Sequence, residues 1–184
     1  LYKELQDESR FVLATGARVG LAWGFPQAVA VDNTMVALSG EARRVLDLPM
    51  SERFFAGGDT TVRGFALDRL GDPSQRVGGT IAQNGFPQGG NAMLVFNSEL
   101  RIRLTRVLGL VTFLDAGNVY DQVAQMTLRR IRAGAGFGLR YSSPVGPIRV
   151  DLGIKLVERY FIGDEDNQTL EPLTALHISI GQAF

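Results

Sequence analysis

The residues best suited to specific chemistry lie in a glycine-rich motif at positions 53–65, Arg-Phe-Phe-Ala-Gly-Gly-Asp-Thr-Thr-Val-Arg-Gly-Phe. Gly57 and Gly58 permit a tight turn, and Gly64 allows the backbone to approach a neighbouring wall closely. Arg63 carries a planar guanidinium with five donors, a shape that suits carboxylates. The motif therefore predicts a contact between Arg63 and acidic partners. An ordinary solvated arginine is the alternative that the motif by itself leaves open.

Other kinds of chemistry find little support in the sequence. The motif lacks the Gly-x-x-x-x-Gly-Lys-Ser/Thr pattern and a clear following helix, which disfavours nucleotide binding. His177 is the only histidine, there is no cysteine, and no Gly-x-Ser-x-Gly occurs. Residues 164–166, Asp-Glu-Asp, could suggest calcium, but an isolated acidic loop is usually solvated. We therefore expect neither an enzyme, nor a metal site, nor a cofactor.

Composition sets broader limits. The 184 residues include 19 basic and 19 acidic side chains, so bulk charge does not indicate a nucleic-acid partner. No apolar run reaches the 18 or so residues of a transmembrane helix. The 22 glycines are costly in helices but useful in strongly curved sheets. The sequence opens on Leu1 without an initiator methionine or signal-peptide pattern, which favours a fragment or a processed chain.

Alternating hydrophobicity predicts the elements that must position the motif. Six segments alternate apolar with small or polar side chains, and each is about as long as a strand that crosses a bilayer at a tilt. They cover residues 10–23, 91–104, 107–120, 128–143, 148–156 and 174–184. Short links between most of them predict an antiparallel sheet. Residues 25–88 form one long loop that carries the motif, with a short helical turn expected at 40–46.

The two faces of these strands differ in an informative way. One face is aliphatic and aromatic, whereas the other mixes arginine with glycine and holds Glu99 and Asp115 on adjacent strands. A β-sandwich with an apolar core is one hypothesis. A membrane strand that faces lipid on one side and a wet lumen on the other is the second. Arginine side chains next to glycines, which have none, favour the membrane hypothesis, with a segment of the chain packed inside the lumen. Arg63 would then meet Glu99 and Asp115, because a desolvated arginine needs acceptors.

Several motifs together resemble the BamA/TamA superfamily of outer-membrane β-barrels, in the order and spacing of that family. They are residues 53–65, Gly-Gly-Asn-Ala at 89–92, Phe-Leu-Asp-Ala-Gly-Asn at 113–118, Gly-Ala-Gly-Phe-Gly-Leu-Arg at 134–140 and Ser-Pro-Val-Gly-Pro-Ile at 143–148. Residues 48–54 and the terminal Gly-Gln-Ala-Phe look slightly closer to TamA. The resemblance implies an all-β carboxy-terminal barrel portion over residues 1–184, about six of sixteen strands, with no POTRA module.

The resemblance also implies sites and partners. Val62, Arg63, Gly64 and Phe65 would form a loop tip that folds into the lumen, with Glu99 and Asp115 as acceptors. Gly181 and Phe184 would belong to a weak seam at the last strand. The chain would sit in a bacterial-type or organellar outer membrane and help insert or translocate unfolded client proteins. A dedicated exporter of one partner, or a passive pore, are the alternatives. Further strands must come from the rest of the protein or from another copy, because six cannot close around the loop.

Overall fold

The computed structural model describes residues 10–24, 48–73, 79–144, 146–163 and 168–181. Eight strands occur in these ranges: β1 (Phe11–Leu21), β2 (Ala92–Arg103), β3 (Leu108–Tyr120), β4 (Arg132–Ser143), β5 (Gly146–Lys155), β6 (Phe161–Ile162), β7 (Thr169–Leu170) and β8 (Thr174–Ile180). Three short 3-10 turns accompany them, at Met50–Glu52, Val123–Gln125 and Leu128–Arg130. No helix in the described ranges has the length and hydrophobicity to cross a membrane.

Six strands form one antiparallel sheet in the order β1-β2-β3-β4-β5-β8. Strands β6 and β7 make a separate small hairpin within the connection from β5 to β8. This sheet confirms the predicted all-β antiparallel fold. Among the described residues, β1 pairs only with β2 and β8 pairs only with β5, so each presents one unpaired edge.

The strand boundaries differ from the predicted ones at several places, and the fifth strand begins at Gly146, before the predicted position 148. The first strand ends at Leu21, so Trp23 lies beyond it, and the last ends at Ile180 within the described residues. The fourth begins at Arg132 because residues 128–130 form a 3-10 turn, which the Thr127 side chain caps by accepting from the Arg129 amide. The expected turn at 40–46 lies outside the described residues.

The two faces of the sheet are packed differently. The outward face carries exposed aliphatic and aromatic side chains, among them Leu13, Val19, Leu100, Leu114, Phe137, Leu139 and Ile178. The described residues place no second sheet against this face. The inward face is covered instead by the described part of the long loop, whose Ala56, Val62, Phe65 and Leu70 form a buried cluster with Val95 and Val119 of the sheet. The sandwich hypothesis is therefore wrong for these residues, and the core lies between the sheet and the loop.

Candidate functional site

The loop tip is a compact turn made possible by two glycines. Gly57 and Gly58 have φ values of 111° and 100°, in the left-handed region that side chains disfavour. The Gly57 amide donates to the Thr61 hydroxyl at 2.7 Å, and the Gly58 amide donates to the Phe65 carbonyl at 3.0 Å. These bonds fold residues 57–65 back on themselves and present Arg63 at the turn.

Arg63 is held by the two acids that the sequence predicted. Its Nε and Nη2 donate to the two carboxylate oxygens of Asp115 at 2.7 and 2.8 Å, and its amide donates to Oδ2 at 3.1 Å. Its Nη1 pairs with Glu99. Arg63 is 3% exposed and Asp115 is fully buried. Burial by itself lowers the pKa of Arg63, but the hydrogen bonds and charges of Asp115 and Glu99 outweigh it and raise the pKa above its ordinary value.

Neighbouring side chains on the sheet also contact Arg63 and Asp115. The Arg63 guanidinium lies 3.8 Å from the centroid of the Phe113 ring, a cation–π contact on β3. Asn97 of β2 donates to Asp115 Oδ1 at 2.8 Å and also to the Thr61 carbonyl. The Asp115 carboxylate therefore accepts from four N–H groups, which satisfies a buried charge that would otherwise be costly.

Glycines on β4 and β5 allow the loop backbone to lie directly on the sheet. A Cβ on Gly64 would lie 3.1 Å from the Gly134 Cα and 3.3 Å from the Ile154 carbonyl oxygen. A Cβ on Gly153 would lie 2.6 Å from the Arg63 carbonyl carbon and 2.8 Å from the Gly64 amide nitrogen. The glycines on the inward face are explained by this contact: because they have no side chains, the loop tip can pack directly on the sheet backbone beside the arginines.

A second charged cluster, which the sequence did not predict as a site, lies beside the tip. Arg132 and Lys155 both pair with Glu171, at 2.7 and 3.0 Å, and all three residues are at most 6% exposed. Arg132 also donates to the Gly71 carbonyl of the loop at 3.2 Å. The Phe65 ring lies under both cations, with centroid distances of 4.6 Å to Arg132 and 4.9 Å to Lys155. This second anchor joins the loop to the connection before β8.

The remaining predicted site residues lie apart from the Arg63 cluster. Gly181 follows β8 with φ of 94°, and its amide donates to the Pro147 carbonyl at 2.9 Å. Phe184 and the acidic residues 164–166 lie outside the described part of the chain. Within that part, no three side chains are grouped as metal ligands would be.

Comparisons with known proteins show the family of this chain. The model of the Omp85 superfamily domain matches residues 1–184. The chain belongs to the Omp85 superfamily. It is 30% identical over 141 residues to the outer membrane protein assembly factor BamA of Nitratidesulfovibrio vulgaris, covering 75% of this chain and 16% of that protein. The chain thus spans about a sixth of the length of this relative.

A solved structure resembles the fold of the Omp85 chain. BamA from Haemophilus ducreyi lacking POTRA domains 1–3 superposes with a TM-score of 0.58 at 19% identity, over 95% of this chain and 32% of that one. At this identity the likeness shows the fold alone. Superfamily membership identifies the chain as part of an integral outer-membrane β-barrel protein. The outward aliphatic face is accordingly the one that faces lipid. The slightly closer relation to TamA stays a prediction.

Proposed function

We propose that this chain forms a wall of an outer-membrane insertase or translocase that assists client polypeptides into or across the membrane. The similarity to BamA of Nitratidesulfovibrio vulgaris, an outer membrane protein assembly factor, supports this proposal. The buried Arg63–Asp115 pair supports a structural role for the loop, since it fixes the tip against the inward face of the sheet. The chain would then act by positioning strands and not by covalent chemistry.

The observation that carries the proposal is the short length of β8, whose outer edge has no partner among the described residues. This strand has seven residues, whereas the other five strands of the sheet have ten to thirteen. The Lys155 amide donates to the Leu173 carbonyl, and the Gly181 amide donates to the Pro147 carbonyl. In an antiparallel ladder, bonded residues alternate with unbonded ones. Alternate residues of β8 therefore bond to β5, and the intervening ones direct their N–H and C=O groups to the free edge.

A short strand with an open edge suits strand addition. A client strand that pairs there would gain main-chain hydrogen bonds, which supply affinity with little dependence on sequence. In the intact barrel, this edge would be the weak seam, and its parting would admit the client. Gly181 lies where the pairing of β8 with β5 ends, which is consistent with weak strand pairing at that end of the seam.

Replacing Ile178 by proline tests strand addition at this edge. Ile178 is one of the intervening residues, so proline removes a donor from the free edge while leaving the β5 ladder intact. In liposomes that contain the intact protein, Ile178→Pro should slow the insertion of several unrelated barrel clients. Ile178→Val is the matched control and should insert them at the wild-type rate.

The outcomes separate the competing functions. Insertion of many unrelated clients supports the insertase, whereas transport of a single partner indicates a dedicated exporter. Steady ion conductance without any client indicates a passive pore. A folded Ile178→Pro protein with unchanged insertion would contradict strand addition at β8. Folding is checked separately by heat-modifiable gel mobility of both variants.

A further inference from the structure

The described part of the long loop reaches the inward face of all six strands of the large sheet. Its side-chain and backbone partners are Arg18 on β1, Asn97 and Glu99 on β2, Asp115 on β3, Arg132 on β4, Arg149 on β5 and His177 on β8. The partner on β8, His177, contacts the backbone of Arg63, the residue whose side chain forms the central ion pair. Asp115 accepts from the Arg63 amide, so the backbone of this residue is bound through both its amide and its carbonyl.

The contact has one chemically allowed direction. His177 Nε2 lies 3.0 Å from the Arg63 carbonyl oxygen. A carbonyl oxygen can only accept, so Nε2 carries the hydrogen and donates it. The guanidinium of Arg63 is meanwhile bound to Glu99 and Asp115 on β2 and β3. A single residue of the loop thus links the middle of the sheet with its last strand.

The neighbouring acid does not compete for this histidine. Asp151 of β5 stands directly opposite His177 in the register. Its two carboxylate oxygens accept from Arg140, at 2.6 and 2.9 Å, in a two-pronged pair. Gly153, the next inward residue of β5, has no side chain and leaves the Arg63 carbonyl in reach of β8. The arrangement on β5 therefore directs His177 towards the loop.

We infer that His177 is a positioning residue through which the inserted loop holds β8 in place. Among the described strands, β8 has only β5 as a ladder partner, over seven residue pairs. A hydrogen bond from its centre to a buried, ion-paired loop residue therefore opposes local opening of the strand. The loop tip and the seam become energetically coupled, and the coupling acts in both directions. The role of that coupling in client insertion rests on the proposed function.

Hydrogen–deuterium exchange on the intact protein in detergent tests the inference. In His177→Leu, which removes the donor, amides of β8 and of the tip at residues 62–65 should exchange about threefold to tenfold faster than in the wild type. His177→Gln, whose side-chain amide can donate from a similar position, should restore most of the protection. Amides at the centres of β2 and β3 should be unchanged in both variants.

Ser179→Ala provides a matched control on the same face of β8. Ser179 accepts from Arg149 Nε at 3.0 Å, and Arg149 also pairs with Asp59 of the loop at 3.5 Å, so this contact reaches the loop outside residues 62–65. Because it keeps the bond from His177 to the Arg63 carbonyl, this variant should speed exchange at residues 62–65 less than His177→Leu does. Unchanged exchange at both sites in His177→Leu, or an equal loss of protection in His177→Gln, would overturn the inference.

Client insertion is measured separately on the same variants. Faster exchange with faulty insertion supports both the inference and the proposed function. Faster exchange with normal insertion supports the positioning role of His177 and contradicts the proposed seam mechanism. Normal exchange contradicts the positioning role whatever the insertion rate is. The two failures are therefore distinguishable.

Discussion

Replacing Asp115 by alanine should be among the most damaging single changes in this chain. Two hydrogen bonds from the Arg63 guanidinium, at 2.7 and 2.8 Å, end on this carboxylate. Bonds to charged groups contribute about 1.5–3 kcal/mol each, and removing one partner of a buried ion pair costs about 3–5 kcal/mol. Glu99 stays in contact with Arg63 but cannot replace the two-pronged geometry. We expect Asp115→Ala to lower the free energy of unfolding by about 3–5 kcal/mol.

The assay is the folded fraction against urea concentration in detergent micelles, read by heat-modifiable gel mobility. Asp59→Ala is the control, because the pair between Asp59 and Arg149 has a separation of 3.5 Å and side chains that are 27% and 24% exposed. Such a pair contributes about 0–1 kcal/mol. A loss below about 1 kcal/mol in Asp115→Ala would refute a buried, stabilising lock.

A double-mutant cycle isolates the pair itself. Arg63→Ala leaves Glu99 and Asp115 without their shared cation, so it should also lower stability and client insertion. The double variant Arg63→Ala with Asp115→Ala should cost less than the sum of the single changes. The expected coupling energy is about 0.5–3 kcal/mol. Additive losses would mean that the two residues do not stabilise the loop as a unit.

Three further changes test other parts of the structure. Gly153→Ala should displace the loop tip, because its Cβ would meet the tip backbone, and should lower the free energy of urea unfolding by about 1–3 kcal/mol. Gly16→Ala is the control, because its Cβ would meet nothing within 4 Å. Glu171→Gln should destabilise the second anchor by about 3–5 kcal/mol, and wild-type urea sensitivity would contradict that role. Leu139→Arg places a cation on the lipid-facing side and should make the free energy of folding into liposomes less favourable by about 2–4 kcal/mol near the bilayer centre. Leu128→Arg is the control, because Leu128 is exposed outside the sheet strands, and it should fold normally.

Much of the sheet was predictable because a strand alternates its side chains with a period of two. That period placed Glu99 and Asp115 on the same face of adjacent strands before any contact was known, and the structure brings both to Arg63. It also separated the exposed aliphatic side chains from the glycines. The physical reason is local: once a strand forms, the direction of each side chain follows from its position.

The second anchor was not predictable in the same way. Strand alternation places Arg132 and Lys155 on the inward face, but Glu171 lies in a connection without periodicity. One indication was available: glycines lie directly across the ladder from both cations, Gly117 from Arg132 and Gly134 from Lys155, so their carboxylate had to come from elsewhere. Likewise, strand alternation places His177 on the inward face, but its bond to a loop carbonyl depends on where the loop lies.

The sequence by itself determined the faces of the strands, the antiparallel order of their pairing and the residues available to bind Arg63, because these follow from chain periodicity and from the cost of desolvating a charge. Only the tertiary structure decided which loop backbone lies on Gly153, which acid joins Arg132 to Lys155, and which strand receives the Arg63 carbonyl. Those contacts join residues far apart in the chain, and the path of a long loop over a sheet is set by packing and not by local pattern.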